Sequence, residues 1–443
     1  MASAFDKLIF NLPEVEHPKE KKLSFKIKLK WTLITLVLFF VLGLVPLFGA
    51  DASVMQQFEY LSIILGAQFG SLISLGIGPI VTASIVLQLL NGSGIVKFDL
   101  NSETGKKRFQ GIQKLLAIFF IIFEAWIYVA MGGLKATAGV SPLLIIIQLI
   151  LGGFLIMLMD EVISKWGFGS GISLFIAANV SQSIFIRALS FVKAQGSEFS
   201  VGAIPALFQA LAANEPTFAG LMLASLIATV AIFLVVVYVQ AMNVEIPLTY
   251  GRVRGYGIRW PLKFLYTSNI PVILIAALMA NVQLFGRLFG NQGGGGVLAW
   301  LQAPRLIELM IKGNVTALNF AQAIVYLLIL ISGAVLFSMF WVQTSGLDAR
   351  TQAKNIMNSG LQMPGFRRDE RVLEKVLSRY IKPLTVMGGI AVGLLAGLAD
   401  VSGALSNGTG ILLTVMIIYQ LYEQIAQQHM MDMNPMMRKF MGK

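Results

Sequence analysis

The chain contains no cysteine, which excludes disulfides, iron–sulfur clusters and thiol chemistry. Histidine is almost as scarce. His17 and His429, both near the termini, leave little from which to build a zinc site or a Ser–His couple. Charge is the third shortage: 13% of residues are Asp, Glu, Lys or Arg, against about a quarter in a soluble globular protein. There is no HExxH, GxSxG or Walker signature. Most enzyme classes fall away, and neither a cofactor nor a metal is expected.

What fills the 443 residues is apolar, 56% by composition. Ten hydrophobic runs are read at about 31–48, 72–91, 112–131, 142–159, 170–189, 217–241, 264–285, 319–342, 383–401 and 408–425. Each is of the length that crosses a hydrocarbon core of about 30 Å as a helix. An even number places both termini on one side. Of the 34 Lys and Arg, only Lys135, Arg187, Lys193, Arg287, Arg305 and Lys312 fall on the opposite side, six against 28. By the positive-inside rule the termini are cytoplasmic, in a multi-pass protein of the cell membrane. A cleavable signal is weighed at Ala50-Asp51-Ala52, but a charged region of 30 residues before Trp31 and nine further spans argue for a retained first span.

Loops and repeats organise the rest. Residues 1–30 read as a cytoplasmic or interfacial segment, in which LSFKIKLKW (Leu23 to Trp31) alternates apolar with polar and suits an anionic leaflet. Outside, 190–216 and 286–318 are long, and LAWLQAPRLIELMI in the second could lie against the membrane. Inside, 242–263 and 343–382 hold 12 of the 28 basic residues. Five spans is an odd number, so two sets of five would have opposite orientations. GPIV with Pro79 in the second span and IPVI with Pro271 in the seventh echo one another at matching places. Inverted repeats of this kind put a translocation path at the repeat interface.

The stretch FEYLSIILGAQFGSLISLGIGPIVTASIVLQLL, residues 58–90, would run about 50 Å as one helix, too long for a single crossing. Gly66, Gly70, Gly76, Gly78 and Pro79 interrupt it. It reads as a short re-entrant helix and then a span from near Leu72. Broken backbone at membrane depth survives only where protein or a water-filled cavity satisfies it, so the break implies a central cavity. On that span Ile77 and Val81 share a face, as do Ile172 and Ile176 on the fifth. Spacing alone reads equally as helix packing.

The strings LISLGIGPIVTASIVLQLL, RFQGIQKLLAI, DEVISKWGFGSGISLFIAANVSQ, VEIPLTYGR, SNIPVIL, GLDARTQAK and GTGILLTVMIIYQLYEQ resemble those of the SecY family, in its archaeal branch. That family supplies the main subunit of the protein-conducting translocation channel, and the resemblance covers essentially the whole chain. It implies an all-α polytopic membrane protein of ten transmembrane helices in two pseudo-symmetric inverted halves of five, 31–190 and 217–425. An external hinge, 191–216, would join them, and 426–443 would be a cytoplasmic tail. The short helix at about 54–66 becomes the plug. By motif match the pore ring is Ile77, Val81, Ile172, Ile176, Ile273 and Leu413, an apolar constriction that excludes ions when empty and offers a passing chain no fixed partner. A lateral gate between the second and third helices and the seventh and eighth lets signal sequences and membrane segments reach lipid, with Thr82, Gln88 and Asn269 as candidate gate hydrogen bonds.

The resemblance also implies two small membrane subunits as partners in a heterotrimer, and a ribosome docked through its RNA on the inner loops. Arg252, Arg254, Arg367 and Arg368 are the expected contacts, GFRR matching the family's loop motif, although the positive-inside rule alone could explain their charge. The rival reading is a secondary transporter with inverted repeats. Such proteins pair ionisable groups near the midplane, whereas here Glu124 stands alone within a span and has no evident role.

Overall fold

Runs of Leu, Ile, Val and Phe longer than 18 residues leave the backbone in hydrocarbon no partner but itself, and helices follow. The computed structural model describes residues 12–19, 23–50, 70–92, 95–96, 98, 102–130, 134–137, 139–193, 198–250, 257–267, 269–289, 296–359, 361–362 and 369–433. Among the described residues, eight helices are long and apolar enough to cross a membrane. They are α1 (Phe25–Leu44), α3 (Glu103–Ala130), α4 (Pro142–Trp166), α5 (Gly171–Leu189), α7 (Pro216–Ala241), α10 (Ala317–Thr344), α12 (Glu370–Val401) and α13 (Gly408–Met433). Two further apolar helices, α2 (Gly78–Gly92) and α8 (Ile270–Phe289), stand where the second and seventh spans were expected. The start of α1 and the end of α13 lie on one face, where Lys28 Nζ donates to the Gln428 side chain at 3.4 Å and Phe25 packs edge-on against His429.

Boundaries differ from the sequence reading, three of them with consequences for the path of the chain. Residues 70–77 wind through successive turns, so α2 starts at Gly78 rather than near Leu72. Gly70 and Gly76, at φ +84° and +56°, occupy the left-handed region that other residues avoid. Second, most of Leu23 to Trp31 is continuous with the helix of the first span rather than a separate segment. From Phe25 it is the first turns of α1, whose lysine stems can lie along the helix while their ammonium groups reach water. Third, α12 begins at Glu370, so Pro383 stands inside the helix instead of opening it.

The chain leaves α1 and comes back to the same place. Leu47 N donates to Gly70 O at 2.8 Å and Leu72 N to Val45 O at 2.9 Å. The excursion between is therefore closed at its neck; the plug expected at 54–66 falls outside the described residues. The turns that follow rest on α4, where a Cβ at Gly152 would sit 1.8 Å from the Leu72 carbonyl oxygen.

The inner loops are ordered into a sheet. Strand β1 (Asn243–Tyr250) pairs antiparallel with β2 (Gly257–Lys263) and, at its far end, with β3 (Leu361–Gln362), through Thr249↔Gln362 and Tyr250↔Leu361. Ile246 and Leu262 from its face pack with Leu373 and Leu377 of α12 and with Ala353 and Ile356 of α11 (Ala349–Asn358), in a small core of their own. On the opposite face the segment 191–216 holds helix α6 (Ala203–Ala212), which packs on α7, and 296–311 carries a 3₁₀ turn (Gly296–Leu301) and a short helix α9 (Leu306–Ile311).

Residues 12–19 strap the inner ends of α3 and α4. Val15 N donates to Glu161 at 2.9 Å, Trp166 Nε1 to Glu16 O at 2.9 Å, and Lys165 pairs with Glu14. That hydrogen bond holds the Glu14 carboxyl below its ordinary 4.5, against the opposing effect of partial burial. A depressed carboxylate pKa contributes stability above the unfolded value and loses it as pH falls through the folded one. A spin label at Lys19→Cys, unique in a cysteine-free chain, is expected to stay immobile from neutral pH to the ordinary carboxylate range and to loosen only below it. Glu14→Gln is expected to loosen it at neutral pH. At the α4 contact, Gly152→Ala must displace backbone, and a loss of about 1–3 kcal/mol is expected from denaturation in detergent. Gly153→Ala, which meets only the Ile121 side chain, is expected to cost less.

Candidate functional site

α2 is the centre of the molecule. It packs on α3 along one side and on α8 and α10 along the other. Beside it a cavity of about 960 Å³ descends from the face that carries the termini. Its wall follows α2 from Asn91 through Gln88 and Ser84 to Val81, and its deep end is aliphatic, with Ile172 and Ile273 joining Val81.

The positions of the six predicted ring residues follow from where helices begin. Ile77 closes the turns before α2 and Val81 is in its first turn. Ile172 and Ile176 occupy the first two turns of α5, Ile273 the first of α8 and Leu413 the second of α13. Ile77, Val81, Ile176, Ile273 and Leu413 are buried, at 2%, 3%, 2%, 7% and 4% exposure; Ile172 is half-buried, and all six belong to one continuous apolar cluster. None of the six faces lipid. The start of α5 is fixed by Asp160 of α4, which accepts from Ile172 N at 2.9 Å. Pro79 and Pro271 are each the second residue of their helix, where the missing N–H deprives no carbonyl of a donor.

Of the three predicted gate residues, Thr82 carries the bond between α2 and α8. Its hydroxyl accepts from Asn281 Nδ2 of α8 at 2.7 Å and lies 2.8 Å from the Gly78 carbonyl and 3.3 Å from Glu124 Oε1 of α3. The single hydroxyl proton can serve only one of the last two. Glu124, without a role in the sequence reading, thus stands behind the cross-link, 2% exposed. Gln88 lines the cavity, and its buried Oε1 has no protein partner among the described residues. Asn269 is buried just before α8, where its carbonyl accepts from Ile273 N at 3.1 Å.

α2 is tied more firmly to α3, since Gln113 Nε2 of α3 also donates to Ser84 at 2.7 Å. Asn281 was missed by sequence reasoning. The one signal was an amide in the midst of the apolar run IPVILIAALMANVQLF.

The four basic residues expected at a ribosome contact, Arg252, Arg254, Arg367 and Arg368, lie outside the described residues. The strands leading into both segments, β1 ending at Tyr250 and β3 at Gln362, are paired with each other, Gln362 opposite Thr249. No group of His, Cys, Asp and Glu among the described residues could hold a metal ion.

A bundle of membrane-spanning helices, enclosing a cavity open to one face and ended by packed aliphatic side chains, defines a class: polytopic helical proteins built around a central path. The comparisons specify it. The SecY family model matches residues 71–422. The chain is 44% identical to the protein translocase subunit SecY of Methanothermobacter thermautotrophicus, over 99% of this chain and 98% of that protein, and 42% identical to that of Methanocaldococcus jannaschii, over 98% and 99%. Its fold matches a solved protein-conducting channel with a TM-score of 0.83 at 41% identity, covering 96% of this chain and 97% of the other. It also matches Sec61 in the canine ribosome–channel complex from the endoplasmic reticulum, with a TM-score of 0.79 at 40% identity and the same coverage. The chain belongs to the SecY family.

Interhelical hydrogen bonds in membranes are worth about 0.6 kcal/mol on average and at most about 1.7. A double-mutant cycle of Thr82→Val and Asn281→Leu in detergent unfolding is expected to give a coupling energy in that range. Zero coupling would separate the two side chains in solution.

Proposed function

We infer that this chain is the polypeptide-conducting subunit of a protein translocase, passing secretory chains across the cell membrane and releasing membrane segments sideways into lipid. The observation that carries the reading is the cavity beside α2, polar along its wall and closed at depth by Val81, Ile172 and Ile273. A narrow aliphatic closure dewets and so resists ions. It gives a translocating peptide nothing to bind, so chains of any sequence slide by. In this reading Ile77, Ile176 and Leu413 complete the ring, and residues 54–66 form the plug above it.

Sideways release is a matter of magnitudes. Among the described hydrogen bonds, Thr82–Asn281, worth about 0.6 kcal/mol, is the one that joins α2 to α8. Moving a single Leu or Ile side chain of the substrate from water into lipid yields about 1.5–3 kcal/mol. An apolar segment therefore opens the seam, and a polar one has no cause to. The halves 31–190 and 217–425 then part on the α2–α8 side while α5 and α13 stay packed opposite, with 191–216 as the hinge.

Cytoplasmic termini put the β1–β3 sheet in the cytoplasm, where Arg252, Arg254, Arg367 and Arg368 would meet ribosomal RNA phosphates; the match to the ribosome-bound Sec61 chain supports this. Two small membrane subunits would complete the assembly. Energy for transport would come from the translating ribosome or from folding and pulling of the substrate outside. The transporter reading needs a cation for Glu124, which instead meets the Thr82 hydroxyl.

The reading is tested with a photoreactive residue at Ile77 or Ile176 and a ribosome-stalled nascent chain. Crosslinks are expected at both positions and not at Val230, which lies 57% exposed on α7. Absence at both ring positions defeats the conduit.

A further inference from the structure

Only six basic residues lie on the face opposite the termini, and three of them, Arg187, Arg305 and Lys312, line one cavity. It measures about 660 Å³ and opens between α5, α7, α9 and the turn from α12 to α13. Arg187 Nη1 approaches the Leu405 carbonyl at 3.5 Å. Glu308 is the sole carboxylate in the lining, 2.6 Å from Lys312 and 3.7 Å from Arg305. Among the lining side chains three cations stand against one carboxylate. Ser183, Gln182 and Ser225 add hydroxyl and amide groups to the wall.

A second hollow continues from the first, with Ala224, Ile307 and Ser402 common to both. It is a groove of about 540 Å³ between α7 and α12, floored by Ala228 and walled by Ile232, Val235, Leu395 and Leu398. On α7 it runs from Ala224 to Val236, about 18 Å at 1.5 Å per residue. One leaflet of a roughly 30 Å hydrocarbon core is about 15 Å deep.

We propose that the two hollows form one binding site for an anionic phospholipid of the leaflet opposite the termini, its phosphate among Arg187, Arg305 and Lys312 and one chain in the α7–α12 groove. The order of chemistries is that of an amphiphile, charged toward the outer end of α7 and apolar along the groove below it. Basic pockets between membrane helices recognise anionic headgroups in this way. A partner's membrane-crossing helix would need a track through both leaflets, about 30 Å, and the groove stops well short of that. The site requires only that α7 and α12 cross a membrane, so a failure of the conduit reading leaves it standing.

The test is native mass spectrometry of the purified full-length protein with phosphatidylglycerol, phosphatidylcholine or inorganic phosphate added. Phosphatidylglycerol is expected to exceed phosphatidylcholine in retained adducts by about tenfold, and Arg305→Gln with Lys312→Gln to abolish that preference. Ala231→Trp, at an exposed position of the groove, is expected to reduce adducts of both lipids while leaving the charges in place. Equal retention of the two lipids by the unmodified protein would overturn the proposal. So would displacement by millimolar phosphate with no effect of Ala231→Trp, the mark of a free-anion site. A co-purifying small subunit lost from Ala231→Trp while lipid adducts persist would assign the groove to a protein helix, which also overturns it.

Discussion

Backbone polar groups have no water to turn to inside a bilayer, and this constraint shapes the centre of the molecule. Residues 70–77 leave the helical path at a position surrounded by spans. Their groups are satisfied by the protein itself: Gly70 O and Leu72 N bond to the end of α1, and Ser74 N and Gly76 N bond within the turns, to Ser71 O and Ile73 O. The turns need close support, which Gly152 of α4 supplies by presenting bare backbone. The outcome is a short α2 that starts in the depth of the bundle with Ile77 and Val81 at its origin.

A helix that starts in mid-bundle owes its position to neighbours, and those of α2 are unequal. Toward α3 it has the Gln113–Ser84 bond and the Glu124–Thr82 approach, whereas toward α8 it has Asn281. The same hydroxyl therefore reports on both sides. Separating α2 from α8 leaves Thr82 with partners on α3 and in its own helix, so no buried hydroxyl is stranded when that contact breaks. Asn281, by contrast, holds a buried Oδ1 with no partner among the described residues, and on separation its amide would lose Thr82 as well.

Long spans were legible because a run such as PLLIIIQLILGGFLIMLMDEV admits no other structure in lipid. Their ends were less so. Hydropathy stops at charge, while helices do not: α1 runs through Lys26, Lys28 and Lys30, and α12 through Arg371, Lys375 and Arg379, because long stems carry their charge to water. The prolines at 79 and 271, read as matching places in the two halves, are each the second residue of their helix. The sheet was not legible, since Pro247 and Pro261 within the strands and the many charges around them speak for loops, and β3 is two residues long. Nor could any one-dimensional pattern show that Thr82, Glu124 and Asn281, on three helices, share one hydrogen-bonded point. The six aliphatic positions came from motif resemblance; their spacing fitted ordinary packing just as well.

The small sheet also determines where a pull would be felt. β2 leads through residues 264–269 straight into α8, Phe264 N is held by Met242 O at 2.9 Å, and the Tyr266 hydroxyl donates to Leu347 O at 2.7 Å. β3 meanwhile joins the segment that precedes α12. A force applied to this sheet would thus be carried to α8 and the start of α12 before the rest of the bundle, as a handle fixed to one leaf of a door.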